Sequence, residues 1–107
     1  MNLLELDLKN RRRAHRVNRA VRVTALDRQA HRSQSVALNV SSSGARMVFT
    51  HSCPESFTVE LDAQTRVLAR PVWKRPLDRS MIVGVRFEFR SERERRQVIS
   101  FLQRLAA

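Results

Sequence analysis

Apolar and polar residues alternate with a period of two through most of this chain, the pattern of a strand buried on one face. In "AVRVTAL" (residues 20–26) Val21, Val23 and Ala25 share a face against Arg22 and Thr24. "SVALNV" (35–40) places Val36, Leu38 and Val40 in phase, and "ARMVFT" (45–50) does the same for Ala45, Met47 and Phe49. "FTVEL" (57–61) alternates Phe57, Val59 and Leu61 with Thr58 and Glu60. "RVLARPVWKR" (66–75) is a longer extended run broken by Pro71, which removes a ladder donor and predicts an edge or a bulge there. "MIVGVRFEF" (81–89) carries Met81, Val83, Val85, Phe87 and Phe89 on one side, with Gly84 inside the strand.

The period changes only at the end. In "SERERRQVISFLQRLAA", Val98, Phe101, Leu102 and Leu105 recur at i, i+3, i+4 and i+7, an amphipathic helix over 92–105. Ser91 with Glu94 three residues on is a capping-box start. Six short strands divided by turn signals, then one helix, predict an all-β fold with a C-terminal helix: a six-stranded antiparallel β-barrel whose edges are hidden by closure. At 107 residues one core is affordable, so a single domain over 1–107 is expected, with 1–18 as an N-terminal arm, 19–90 as barrel and 91–107 as helix. In the first dozen residues Leu3, Leu4, Leu6 and Leu8 fit a strand or a short helical turn equally.

Charge changes the picture more than hydropathy does. The chain has 21 basic residues against 10 acidic ones, a net +11, and only Lys9 and Lys74 among the basic residues are lysines. Arginine offers a flat fork of donors that matches phosphates and guanine edges, so the bias favours an anionic or nucleotide partner. The excess is densest in "NRRRAHR" (10–16). A lone Cys53 makes no internal disulfide and fits a reducing compartment, and Glu5 and Asp7 stand where a signal peptide needs basic residues, so a cytoplasmic location is expected. No run approaches the ~20 apolar residues of a membrane span, and no membrane insertion is expected.

Catalytic constellations are missing. His51 and Cys53 are two apart, but a closed zinc site needs further ligands and there is no second cysteine; no metal and no enzyme activity are expected. His15 and His31 lack a neighbouring carboxylate that would orient a general base, and there is no phosphate-binding Gly-rich loop. Arg12 and Arg16 form an R-x-x-x-R spacing, which recurs at Arg66/Arg70 and Arg75/Arg79 and is weak alone: the run reads equally as a solvated arm or a phosphate contact. Asn39 and Ser41 share the face of a strand opposite its core side, and Gly44 permits a positive φ or a close approach of backbone, which alone describes a hairpin turn.

In combination the two stretches say more. R-x-x-x-R ahead of the first strand, N-x-S-x-x-G closing the second, "VLARPVW" and "GVRFEF" on late strands and a terminal helix together resemble the PilZ domain family, from about Asn10 to Leu105. The resemblance implies a receptor for cyclic di-GMP, a bacterial second messenger used to control motility, exopolysaccharide synthesis and biofilm formation through an effector protein or attached domain. It implies Arg11, Arg12, Arg16, Asn39, Ser41 and Gly44 as ligand-binding residues, with Arg46 and Trp73 as further candidates. The basic residue Arg11, immediately before R-x-x-x-R, goes in the family with binding of an intercalated dimer of the nucleotide. Asn39 stands where many relatives have Asp; a carboxylate accepts two hydrogen bonds from guanine N1 and N2, whereas the amide offers one oxygen, so weaker binding is expected. The arm should close on the ligand and alter the surface offered to a partner. No other cofactor is implied. Two alternatives stand beside this reading: a PilZ-like adaptor that acts through protein contacts without nucleotide, against which the intact motifs argue, and a small basic barrel binding nucleic acid, against which the inward phase of most Phe residues argues, since single-strand binders need exposed stacking rings.

Overall fold

The computed structural model describes residues 16–50 and 52–106. Among the described residues, seven strands and one helix run in the order β1 (Arg16–Val17), β2 (Val21–Leu26), β3 (Arg32–Ser41), β4 (Gly44–Phe49), β5 (Phe57–Asp62), β6 (Thr65–Leu77), β7 (Ser80–Glu88) and α1 (Glu92–Ala106). Every pairing is antiparallel, in the order β1-β3-β2-β5-β6-β7-β4, and β4 pairs back to β3. That last pairing closes β3-β2-β5-β6-β7-β4 into the expected six-stranded barrel. The two-residue β1 is an addition to it, taken from the segment expected as an arm.

The inward rows are the alternating apolar ones. Val23, Ala25, Met47, Phe49, Phe57, Val59, Leu61, Val83, Val85 and Phe87 are all buried, and Phe49 meets Phe57 edge to face at 5.4 Å. Strand β3 departs from the expected phase: its buried residues are Ser35, Ala37 and Val40, while Val36 faces outward and Leu38 is 38% exposed. The cause is a bulge. Ala37 pairs with Met47 and Asn39 with Arg46, so Leu38 is an extra residue that shifts the alternation by one. Ser35 tolerates burial because its hydroxyl donates to the Val48 carbonyl at 2.7 Å. The break expected at Pro71 is also a bulge, with Pro71 opposite Val85, Trp73 opposite Gly84, and Val72 extra.

Local polar contacts set the turns. The Asp27 carboxylate accepts the amides of Gln29 and His31 at 2.9 Å each, and Ala30 takes the left-handed region at φ 61° to complete that loop. Asp62 accepts the Gln64 amide in the β5–β6 turn. The helix starts as expected: Ser91 Oγ accepts the Glu94 amide at 3.3 Å, and Glu94 returns a contact to the Arg90 amide at 3.1 Å, one residue ahead of the Ser91 amide that a capping box uses. Helix α1 buries Val98, Phe101 and Leu102, packs on β6 and β1, and accepts a hydrogen bond at the Leu105 carbonyl from Arg19. Among the described residues no helix is long and apolar enough to cross a membrane.

Candidate functional site

The site begins with the register of β1. Arg16 stands directly opposite Ser41 and Val17 opposite Val40, so two backbone pairs join the end of the arginine motif to the end of the N-x-S-x-x-G motif. Beyond β3 a row of outward-facing positions crosses four strands, from Asn39 to Arg46, Gly84 and Trp73. With strands about 4.8 Å apart the row is about 14 Å long. A neighbouring row runs from Gly44 to Arg86 and on to Arg70.

The first row, with Gly44 and Arg86 of the second, forms the floor of an open groove of about 420 Å³. Every described residue singled out from the sequence lines it: Arg16, Asn39, Ser41, Gly44, Arg46 and Trp73. Arg11 and Arg12 lie outside the described residues. Ser43, Ala45, Val72, Gly84, Val85 and Arg86 line it as well and were not anticipated. Arg86 was legible in part, since it is two residues from Gly84 and therefore on the same outward face; nothing set it apart from the other outward arginines.

Each motif residue has a definite local role. Ser41 Oγ accepts the amides of Ser43 and Gly44 at 3.2 Å each, which uses both acceptor positions of the hydroxyl and shapes the turn. Oγ also lies 3.2 Å from both the Gly44 carbonyl and the Ser43 hydroxyl, so its single hydrogen has two alternative acceptors and is the part of the group that can be redirected. Gly44 does not have a positive φ. A Cβ there would collide with the carbonyl of Val85, so its value is the close approach of β4 to β7, which the Phe87 amide reinforces by donating to the Ser43 carbonyl at 2.9 Å. Gly84 is needed for a different reason: the Trp73 indole lies across it, in the space a Cβ would occupy. The Arg75 guanidinium stands 5.9 Å from the centre of the indole ring.

The groove is electrostatically one-sided. Arg16, Arg46 and Arg86 line it, and among the described residues no carboxylate does. Among the described residues the arginine ion pairs are those of Arg32 and Arg66 with Glu60, Arg70 with Glu88, Arg95 with Glu92 and Arg104 with Asp62. None of these uses Arg16, Arg46 or Arg86. Elsewhere, Cys53 is half-buried, donates to the Pro54 carbonyl at 3.4 Å, and has its thiol pushed up by burial against the opposing pull of Lys74. The described residues contain no cluster of three or more His, Cys, Asp or Glu side chains that would hold a metal ion; His51 is not among them.

Fold and groove together define a small closed antiparallel barrel with an anion-complementary face. The chain belongs to the PilZ domain family, whose model matches residues 10–104. PilZ domains are in general binding and regulatory modules rather than catalysts, receptors for cyclic di-GMP that act on effector partners. No curated protein matches the chain. Solved structures do. The inhibitor of motility MotI/DgrA of Bacillus subtilis is 12% identical with a TM-score of 0.62, the match covering 86% of this chain and 49% of that one. The PilZ domain of CeSA from a cellulose-synthesizing bacterium is 15% identical with a TM-score of 0.60, covering 87% and 99%. MrkH, described as a c-di-GMP dependence transcription regulatory factor, is 10% identical with a TM-score of 0.54, covering 79% and 46%. The chain thus spans about half the length of the first and third of these and matches the whole of the isolated domain. At such identities the likeness is one of fold.

Proposed function

We propose that this PilZ domain is a cyclic di-GMP receptor that acts in the bacterial cytoplasm and passes the binding event to an effector protein or attached domain. The observation that carries the reading is the pairing of Arg16 with Ser41, which joins the two motifs beside a groove that, among the described residues, is lined by arginines and by no carboxylate. Cyclic di-GMP carries two phosphates and two guanines. A guanidinium fork grips a phosphate, pairs with guanine O6 and N7, or stacks on a base, and the exposed indole of Trp73 offers a second stacking surface. A row about 14 Å long suits a dinucleotide, whereas a lone phosphate would cover only one end of it. In this reading Arg11 and Arg12 close over the ligand together with Arg16, and Arg11 admits a second, intercalated nucleotide. Closure of the preceding segment then changes the face shown to the partner.

Isothermal titration of the wild type and of Arg16→Ala tests this. Losing one charge-assisted contact worth about 1.5–3 kcal/mol should weaken binding by about 10- to 150-fold. Equal affinities would remove Arg16 from the site, and absence of binding by the wild type would overturn the receptor reading. The same titration reads stoichiometry: two nucleotides per chain for the wild type and one for Arg11→Ala are expected.

A further inference from the structure

A second cleft, sharing no residue with the groove, lies between α1 and the β5–β6 turn and has a volume of about 290 Å³. Its helix side is Arg93, Arg96, Gln97, Ser100 and Arg104, and its turn side is Gln64 and Thr65. The helical residues recur at i, i+3, i+4, i+7 and i+11, one continuous face beside the one that buries Val98, Phe101 and Leu102. Asp62 flanks it, paired with Arg104 at 2.8 Å. That pair orients Arg104 along the cleft, and neither Arg93 nor Arg96 takes part in an ion pair among the described residues.

We infer that this helix face is a contact surface for the phosphate backbone of duplex nucleic acid, read without regard to base sequence. At 1.5 Å per residue the stripe from Arg93 to Arg104 is about 16 Å long. Over that length one strand of a duplex presents about five phosphates. The chemistry matches: arginine forks for phosphate oxygens, with amide and hydroxyl groups between them for phosphate and sugar oxygens. The cleft has no aromatic residue on which bases could stack, which separates it from a single-strand channel. It also has no apolar residue at all. An acidic protein partner would be expected to find an apolar anchor at the centre of its contact; here there is none, and the phosphate backbone needs none.

The test is fluorescence anisotropy of a labelled 20-base-pair duplex of arbitrary sequence, titrated with the full chain over a salt series. The wild type should bind with a steep inverse dependence on salt, and Arg93→Ala/Arg96→Ala should flatten the log–log slope by about 1.8 and weaken binding by at least about tenfold near 0.1 M salt. Arg22→Ala/Arg79→Ala, two exposed arginines elsewhere, removes the same charge and should change the slope far less. Thermal melts of both variants report that the barrel is intact. Absence of wild-type binding would overturn the proposal. Equal effects of the two double variants would do so too, by showing a response to net charge alone. Polyglutamate binding as tightly as the duplex, with the same dependence on Arg93 and Arg96, would overturn it in favour of an acidic protein.

Discussion

Gly84 and Trp73 form the sharpest test of how the groove is built. The indole lies where a Gly84 side chain would be, and the three nearest atoms are Nε1, Cε2 and Cζ2 of that ring. The obstacle is a side chain rather than backbone, so Gly84→Ala should displace Trp73 and leave the β6–β7 pairing in place. Trp73 is 40% exposed. About 120 Å² of its surface therefore lies against the barrel, and at about 25 cal/mol per Å² complete release costs about 3 kcal/mol. Replacing a strand glycine returns about 0.5–1 kcal/mol of backbone entropy. The net loss is about 2 kcal/mol, a fall in Tm of roughly 10 °C for a domain of this size. Trp73 is the only tryptophan, so intrinsic fluorescence reports on this ring alone. The assay is a double-mutant cycle read by emission maximum and thermal melting. Gly84→Ala should shift emission to the red and lower Tm; in a Trp73→Ala background the same substitution should cost nothing or stabilise slightly, because no ring remains to displace. An unshifted emission, or an equal destabilisation with and without the indole, would refute the reasoning.

Gly44→Ala meets backbone instead of a side chain, at the Val85 carbonyl, so β4 and β7 must part locally; a loss of about 1–3 kcal/mol in denaturant unfolding is expected, larger than any local effect on the turn. The Asp62 carboxyl is pushed up by partial burial, but the Gln64 amide, the Thr65 hydroxyl and the Arg104 guanidinium outweigh that and hold it below its usual 3.8. Its folded value is therefore the lower one: it contributes stability above pH 3.8 that is lost as pH falls through the folded value, and Asp62→Asn should flatten Tm against pH between about 2 and 5. Ser91→Ala removes the oxygen that accepts the Glu94 amide and should cost about 1 kcal/mol by chemical denaturation, with the unfolding slope unchanged.

Burial was legible from sequence where the apolar alternation runs on unbroken, and in the bulged β3 and β6 it was not fully so. In β4, β5 and β7 the alternating apolar residues fall on buried positions, except that Met81 at the start of β7 is only partly buried, and the register shift of β5 is confined to its end, between Glu60 and Asp62. In β3 the same signal misleads, because Val36, Leu38 and Val40 form a smooth pattern while Ala37 is small enough to be read as either face. The extra residue at Leu38 is invisible to a period-two count; it follows from the register that closure of β3 on β4 imposes. Pro71 announced its bulge because it lacks a donor, but the consequence, an indole laid over Gly84, depends on which residue of β7 faces Trp73 across the break. The motif residues could be named because their spacing is local. Arg86 could not, since its place beside Gly44 is a long-range pairing between β4 and β7.

The bulges of β3 and β6 also explain why these particular side chains face the groove. Regular alternation outward from the buried Ala37 would turn Asn39 and Ser41 inward and Val40 outward. The extra Leu38 reverses that, sending Val40 into the core and both polar residues to the surface. On β6, alternation from the buried Ala69 would carry Trp73 to the inner face, and the extra Val72 sends it outward over Gly84. Asn39 and Trp73 are the two ends of one cross-strand row, and each owes its direction to a bulge immediately before it in the chain. Bulges bend a strand and increase its twist, and they are found beside functional sites because they re-aim side chains. Here one is placed at each end of the row that floors the groove, where losing either would bury a polar or bulky group in a core already filled by Met47, Val83 and Val85.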